Sequence, residues 1–148
     1  MEISVSDALL RLGDKDAPTA YKALLELERI SDETGEIYPL TREFADMVAD
    51  ERYAMRVRGF RLFCKQAKWD VDNKLDESID AALSILDDPK PTAVRQALAA
   101  LGDVMRYKPD LRPVVADAAL NIDVVKYADS MRGLIMKDIQ GLLKQAEE

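Results

Sequence analysis

Apolar residues recur along the chain at the spacing of amphipathic helices. The clearest case is the stretch DDPKPTAVRQALAALGDV, residues 87–104, together with Met105. Its apolar side chains fall at i, i+3, i+4, i+7, i+10 and i+11: Val94, Ala97, Leu98, Leu101, Val104 and Met105. This period places one apolar stripe along a helix. Shorter amphipathic segments occupy residues 4–12, 38–49, 74–86 and 110–121.

The pattern repeats at an interval of 37 residues. Windows that begin at residues 13, 50, 87 and 124 align, and one column holds Ala20, Val57, Val94 and Met131. All six prolines fall at or near a predicted helix start, where the missing N–H removes no helical hydrogen bond. We therefore predict an all-α, single-domain fold of four antiparallel helix pairs, approximately 1–35, 36–70, 71–108 and 109–148, with a last helix from about 124 to 147.

A helix pair of this length cannot bury its apolar face alone, so neighbouring pairs are expected to stack into a right-handed solenoid. The motif DDPKPTAVRQALAALG, an acidic turn followed by proline and then VR inside the second helix, resembles the HEAT repeat. The stretches GFRLFCKQAKWD and YADSMRGLIMKDI are similar to small single-domain bacterial HEAT-type proteins, a group often labelled "SufBD" after iron–sulfur assembly. The resemblance implies an armadillo-type α–α superhelix whose second helices form a concave wall.

The composition limits the chemistry that the chain can perform. It contains no histidine and a single cysteine, Cys64. Catalytic Ser/His/Asp and Cys/His arrangements, histidine zinc sites and a self-contained iron–sulfur cluster are thereby excluded. We expect no cofactor and no enzymatic activity. The lone cysteine and an N-terminus, MEISVSD, without a secretion-signal pattern favour a cytoplasmic location, and no apolar run is long enough to span a membrane.

The net charge of −7 opposes nonspecific attraction to nucleic acid and to anionic membranes. Some HEAT-like proteins are DNA glycosylases, so a nucleic-acid-binding or base-repair protein is the alternative function. That alternative requires a positive groove with aromatic residues and a carboxylate that acts on an extruded base. The function that we favour is a non-catalytic adaptor that binds a segment of a partner protein on its concave face.

One helix departs from the repeat in its charge. Residues 51–69, ERYAMRVRGFRLFCKQAKW, contain six basic residues and one acid, and the following residues 70–88 contain seven acids and one lysine. Four of the basic residues fall on one flank of the helix: Arg58, Arg61, Lys65 and Lys68. Two interpretations stay open: the acidic segment neutralises this flank, or the flank lies on the concave wall and receives an acidic partner segment.

Two apolar residues of the same helix lie away from its predicted core face. Leu62 and Trp69 occupy columns that hold Ala99 and Arg106 in the third copy. Trp69 is either an anchor for a partner, since tryptophan is enriched in binding hot spots, or a cover for the next helix pair. The predicted partner-binding surface therefore consists of Arg58, Arg61, Leu62, Lys65, Lys68 and Trp69.

Arginine also recurs at one column of the repeat, at Arg58, Arg95 and Arg132. These side chains are predicted either to grip phosphates or carboxylates or to bond the acidic turn of their own or a neighbouring repeat. Asp50, Asp87 and Asp123, eight or nine residues before them, are available acids. Gly59 and Gly133 each follow a column arginine inside a helix, where glycine costs about 1 kcal/mol relative to alanine. Close approach of a neighbouring helix is the expected compensation, and a bare ligand-facing surface is the alternative.

Overall fold

The structure, a computed structural model, describes residues 4–147, and its regular secondary structure in that range is entirely helical. Eight α-helices follow one another: α1 (Val5–Arg11), α2 (Ala17–Glu33), α3 (Thr41–Asp46), α4 (Tyr53–Lys65), α5 (Lys74–Ala82), α6 (Pro91–Tyr107), α7 (Arg112–Leu120) and α8 (Asp129–Ala146). Short 3-10 turns extend several of them, at Tyr38–Leu40, Met47–Ala49, Gln66–Trp69, Leu83–Asp87, Pro109–Leu111 and Val124–Lys126. The prediction of an all-α chain with eight helical segments is confirmed.

Proline and aspartate mark the helix starts. Pro18 and Pro91 occupy the first turns of α2 and α6, where no intrahelical donor is lost. The carboxylate of Asp16 caps α2 by accepting the backbone N–H of Thr19 at 3.1 Å. Before α6, the Asp88 carboxylate accepts the N–H of Lys90 at 2.9 Å.

The last helix begins five residues later than the sequence pattern predicts. Residues 124–126 form a separate 3-10 turn, and α8 starts only at Asp129. Hydrogen bonds from two side chains hold this turn apart from the helix. Arg132 donates to the carbonyl oxygens of Val125 and Tyr127, each at 2.7 Å, and the buried Tyr127 hydroxyl donates to the carbonyl oxygen of Asp88.

Helices α2, α4 and α6 lie side by side and point in the same direction. Arg61 on α4 meets Glu28 on α2, and one turn further along both helices Lys65 meets Asp32. On the other flank of α4, Arg61 contacts Gln96 of α6 and Lys65 lies near Asp103 of the same helix. Because residue numbers rise together on each pair of helices, the three helices are parallel. α8 packs against α6, while α3 packs under α4 and α5.

The turn that precedes α6 is bonded both by a residue earlier in the chain and by residues later in the chain. Asp88 is buried, and its carboxylate accepts a 2.6 Å hydrogen bond from Nε of Arg56 on α4. From the other side, Lys126 donates to Asp87 at 2.6 Å, and Tyr127 donates to the Asp88 backbone. These partners stand 32 and 39 residues from the turn, so each bond links neighbouring helix pairs.

The predicted pairing of the arginine column with the acidic turns is wrong. Arg58 donates to the carbonyl oxygen of Leu12 at 3.0 Å, and Arg95 binds Asp138 on α8 at 2.7 Å. Arg132 holds the backbone of its own 3-10 turn. None of the three binds the aspartates at 50, 87 or 123 within the described residues. Arg56, two residues before the column, binds an acidic turn instead.

A buried ion cluster accounts for several acids of segment 70–88. The Lys108 ammonium is 95% removed from solvent and lies 2.9 Å from Asp70 and 2.8 Å from Asp76. Burial alone would lower the pKa of Lys108, but hydrogen bonds to these two carboxylates raise it to about 12. Asp70 also accepts the hydroxyl of Tyr38 at 2.6 Å. The cluster therefore joins α5 with the turn before α3 and the segments that follow α4 and α6, and breaking it would leave buried charge unpaired.

Gly59 and Gly133 have opposite surroundings. A Cβ on Gly59 would lie 2.4 Å from Cβ of Met47 and 2.6 Å from the carbonyl oxygen of Phe44, so the predicted close approach exists there. A Cβ on Gly133 would meet nothing within 4 Å, so the expectation of a close helix approach at that position is wrong.

The two glycines form a matched pair for a stability test. We expect Gly59→Ala to lower the free energy of unfolding by about 1–3 kcal/mol, because the added methyl group meets backbone that cannot move aside. Gly133→Ala is expected to raise it by up to about 1 kcal/mol through higher helix propensity. Urea unfolding of both variants checks this, and equal effects of the two substitutions would contradict the packing described at Gly59.

Candidate functional site

A groove runs along the exposed face of α2, α4 and α6 and contains two adjoining chambers that share Arg61 and Gln96. The first, here called the tyrosine chamber, has a volume of about 400 Å³ and is lined mainly by Tyr21, Leu24, Tyr53, Val57 and Arg58. The second, the Asp103 chamber, has a volume of about 250 Å³ and is lined mainly by Glu28, Lys65, Ala99, Ala100 and Asp103. The groove is therefore built from three helices, α2, α4 and α6.

The tyrosine chamber combines aromatic walls with an apolar floor. Tyr21 and Tyr53 are 51% and 45% exposed, whereas Leu24 and Val57 beneath them are buried. The chamber lies at the first turns of α2 and α4, since Ala17, Pro18 and Ala54 also line it. Aromatic side chains that are half exposed over an apolar floor offer contact area at low entropic cost.

Arg58 supplies a cation to this chamber. Its guanidinium donates to the carbonyl oxygen of Leu12, and no carboxylate of residues 4–147 lies within ion-pair distance of it. Burial and the nearby Arg52 lower the pKa of Arg58. The ammonium of Lys90 lies 5.5 Å from the centre of the Tyr53 ring, which adds a third positive group at the same end.

The Asp103 chamber contains paired charges. Arg61 donates two hydrogen bonds to the Glu28 carboxylate, at 3.0 and 2.7 Å, in the bidentate geometry that arginine favours. Lys65 donates to Asp32 at 2.8 Å. Burial alone would lower the pKa of Lys65, but that hydrogen bond and the surrounding carboxylates raise it, so the ammonium stays charged.

Asp103 differs from the other carboxylates of the groove. It accepts no hydrogen bond from the described part of the chain, and its closest cation, the ammonium of Lys65, is 3.8 Å away. Burial raises the pKa of Asp103, as do the charges of Asp32 and Glu28, while Lys65 and Arg106 act in the opposite direction. Asp103 therefore keeps acceptor capacity that nothing in the fold uses.

Two of the four basic side chains on this flank of α4, Arg61 and Lys65, are neutralised, but not by the segment that the sequence suggested. Arg61 and Lys65 bind acids of α2 and approach Asp103 of α6, whereas the acids at 70 and 76 bind Lys108. The predicted pairing of this flank with residues 70–88 is therefore wrong for these two side chains. The reason is geometric: α2 and α6 lie against the two flanks of α4, while α5 packs mainly against α3.

Lys68 and Trp69 lie at the end of α4, outside the groove. The Trp69 indole donates to the carbonyl oxygen of Ser31 at 2.6 Å, and its ring lies 3.3 Å from the position of a Cβ on Gly35. Lys68 donates to the carbonyl oxygen of Asp32 at 2.7 Å and lies over the Trp69 ring. Trp69 thus covers the end of the preceding helix pair. One of the two alternatives from the sequence was that it covers the next pair instead.

The assignment of Leu62 to the partner-binding surface is wrong. The side chain of Leu62 is fully buried, and so are those of its neighbours Phe63 and Cys64. A helix that is flanked on both sides and packed from below buries more than one stripe, so a residue outside the main apolar column also enters the core. Of the six predicted residues, Arg58, Arg61 and Lys65 line the groove.

Sequence reasoning missed Tyr21, Tyr53 and Asp103 as groove residues. Tyr21 stands in the column that holds arginine in the other three copies, so its departure from the repeat was a usable signal. Tyr53 and Asp103 gave no comparable signal, because their position in the groove depends on how neighbouring helices meet.

Other chemistry-bearing features of the described residues are few. No cluster of histidine, cysteine, aspartate or glutamate suited to a metal ion occurs within residues 4–147. Cys64 is fully buried, which raises the pKa of its thiol well above the usual value and keeps it protonated. None of the helices in the described range is long and apolar enough to cross a membrane.

The chain has no significant match among protein-family models, curated proteins or solved structures. The groove therefore has to be interpreted from its own residues.

The burial of Leu62 predicts a large cost on truncation. We expect Leu62→Ala to lower the free energy of unfolding by about 2–5 kcal/mol, as for other core leucines. Leu10→Ala is the matched control, because Leu10 is 79% exposed and should change stability by no more than about 0.5 kcal/mol. Urea unfolding of both variants measures the difference, and a mild effect at Leu62 would place this side chain at the surface.

The raised pKa of Asp103 predicts how stability depends on pH. Folding favours the protonated carboxyl, so the protein loses stability as pH rises through the interval between the unfolded-state pKa and the higher folded-state pKa. We expect Asp103→Asn, which stays neutral, to be more stable than the wild type at neutral pH and to lose that advantage in acid. Urea unfolding across the acidic range tests this, and an advantage that grows toward low pH would give the pKa shift the opposite sign.

Proposed function

We propose that the chain is a non-catalytic protein-interaction module whose groove on α2, α4 and α6 binds an extended segment of a partner protein through an acidic side chain. The observation that carries the proposal is Arg58, a cation without a carboxylate partner among residues 4–147, in one chamber with two half-exposed tyrosines. A carboxylate from outside the chain satisfies this guanidinium, and the tyrosines pack against the segment that brings it.

We also propose that the eight helices form a HEAT-like solenoid of four pairs. Its support is the regular separation of the long-range polar contacts: Arg61 with Glu28, Arg56 with Asp88 and Lys108 with Asn73 are 33, 32 and 35 residues apart. Bonds at nearly one repeat length are typical of chains in which each unit contacts its neighbours. In such a solenoid the groove lies on the wall of second helices, which is the concave side.

A protein partner fits the charges better than a nucleic acid. Arg61 and Lys65 are engaged by Glu28 and Asp32, so the positive field that attracts phosphate is largely cancelled along the groove. The net charge of −7 adds repulsion. A cytoplasmic location belongs to the proposal, supported by the single unpaired thiol of Cys64.

Selection from a random dodecapeptide library displayed on phage tests this function. We expect the purified protein to enrich peptides that contain an acidic residue next to apolar ones. Tyr21→Ala and Arg58→Gln should each weaken binding of a synthetic selected peptide by about tenfold, the loss typical of an interface anchor. Fluorescence anisotropy measures the affinities, and circular dichroism establishes that the variants are folded.

Leu120→Ala is the control, because Leu120 is a 65% exposed apolar residue on α7, away from the groove. It should bind the peptide as the wild type does. Equal loss in all three variants, or no enrichment, would reject the groove as a peptide site. Tight, steeply salt-dependent binding of a short DNA duplex would favour the nucleic-acid alternative instead.

A further inference from the structure

The two chambers hold unmatched groups of opposite charge at opposite ends of the groove. α2, α4 and α6 are parallel, so their amino-terminal ends all lie toward the tyrosine chamber. An aspartate carboxylate meets each of these ends, Asp16 at α2, Asp50 at α4 and Asp88 at α6, whereas Arg58 has no carboxylate of residues 4–147 within ion-pair distance. Asp103 stands near the carboxyl end of α6 (Pro91–Tyr107), where the helix dipole contributes negative potential.

At the negative end, the acids differ in what they can still bind. The Glu28 carboxylate is occupied by two hydrogen bonds from Arg61, and Asp32 accepts Lys65 at 2.8 Å. Asp103 accepts no hydrogen bond from residues 4–147 and faces the chamber. Lys65, at 3.8 Å, is too far from Asp103 to satisfy it. An incoming ammonium or guanidinium group is the ligand that this carboxylate lacks.

The distance between Arg58 and Asp103 sets the spacing of the two ligand groups that these side chains bind. Arg58 and Lys65 are two helical turns apart on α4, which is about 10 Å along the axis. Lys65 stands beside Asp103, so the cation site lies at about that distance from the guanidinium of Arg58. An extended peptide advances about 3.3 Å per residue, so about three residues span the gap. A chamber of about 250 Å³ holds a side chain but not a helix of about 10–12 Å diameter.

We propose that the groove recognises an extended peptide segment with one acidic and one basic side chain three residues apart. The acidic side chain binds Arg58 between Tyr21 and Tyr53, and the basic side chain enters the Asp103 chamber. This inference rests on the proposed function and specifies its partner: the segment is dipolar, with its charges opposed to those of the groove.

A double-mutant cycle between peptide and protein tests the basic position. A peptide selected from the random dodecapeptide library is synthesised in two forms, one with its lysine or arginine and one with norleucine in that place. We expect norleucine to weaken binding to the wild type by about tenfold, the value of one charge-assisted hydrogen bond. With Asp103→Asn the two peptides should differ by less than about twofold, because their discriminating partner is gone.

Asp80→Asn is the matched control, since it removes one exposed negative charge on α5 and changes the net charge equally. It should discriminate between the two peptides as the wild type does.

If selected peptides depend on Tyr21 but lack a basic residue three positions from the acid, the dipolar motif is wrong and the proposed function stands. The same holds if Asp103→Asn discriminates as the wild type does. If no peptide depends on Tyr21, both proposals fail.

Discussion

The packing of α2 and α6 against opposite flanks of α4 is the constraint from which the other features of this molecule follow. A helix in that position has apolar neighbours below it and helices to either side, so only a narrow strip of its surface remains for solvent. Leu62 is buried for this reason, and Arg61 and Lys65 extend from the strip toward the adjacent helices. The same three parallel helices form the groove, with Arg58 toward their amino-terminal ends and Asp103 toward the carboxyl end of α6.

Charge in this chain serves mainly to register one helix pair on the next. Arg56 with Asp88 and Lys108 with Asp70 are ion pairs with little exposure, and each bridges segments about one repeat length apart. A buried pair gains little net stability after desolvation, yet an altered alignment of the helices would leave its charges unpaired. The pairs therefore penalise sliding of one helix pair against another more than they add to the free energy of folding. Arg58 and Asp103 stand apart: in the described part of the chain Arg58 meets no carboxylate, and Asp103 accepts no hydrogen bond and has Lys65 only at 3.8 Å.

The sequence predicts the helices well and the partners of their side chains poorly. Apolar period and proline position are local properties, so seven of the eight helical segments begin close to where they were expected. The start of α8 was wrong because Tyr127 is drawn toward Asp88, a contact between residues 39 positions apart. Arg61 and Lys65 line the groove, but their partners Glu28 and Asp32 depend on the crossing of two helices. No one-dimensional pattern contains that crossing.

The contrast between Arg61 and Arg58 explains why a cluster of basic residues does not by itself identify a binding site. Both lie on the same flank of α4 and both line the groove, but Glu28 occupies Arg61 through two hydrogen bonds. A ligand that bound Arg61 would displace Glu28 and leave its carboxylate unpaired in a partly buried position. The free-energy cost of that unpaired charge would offset much of the binding free energy gained at Arg61. Within residues 4–147 Arg58 bonds a carbonyl oxygen and a thioether sulfur and no carboxylate, so an incoming carboxylate displaces no charge from that part of the chain. Binding energy in this groove is therefore concentrated where the fold has left a charge unmatched, and the neutralised residues between act as walls.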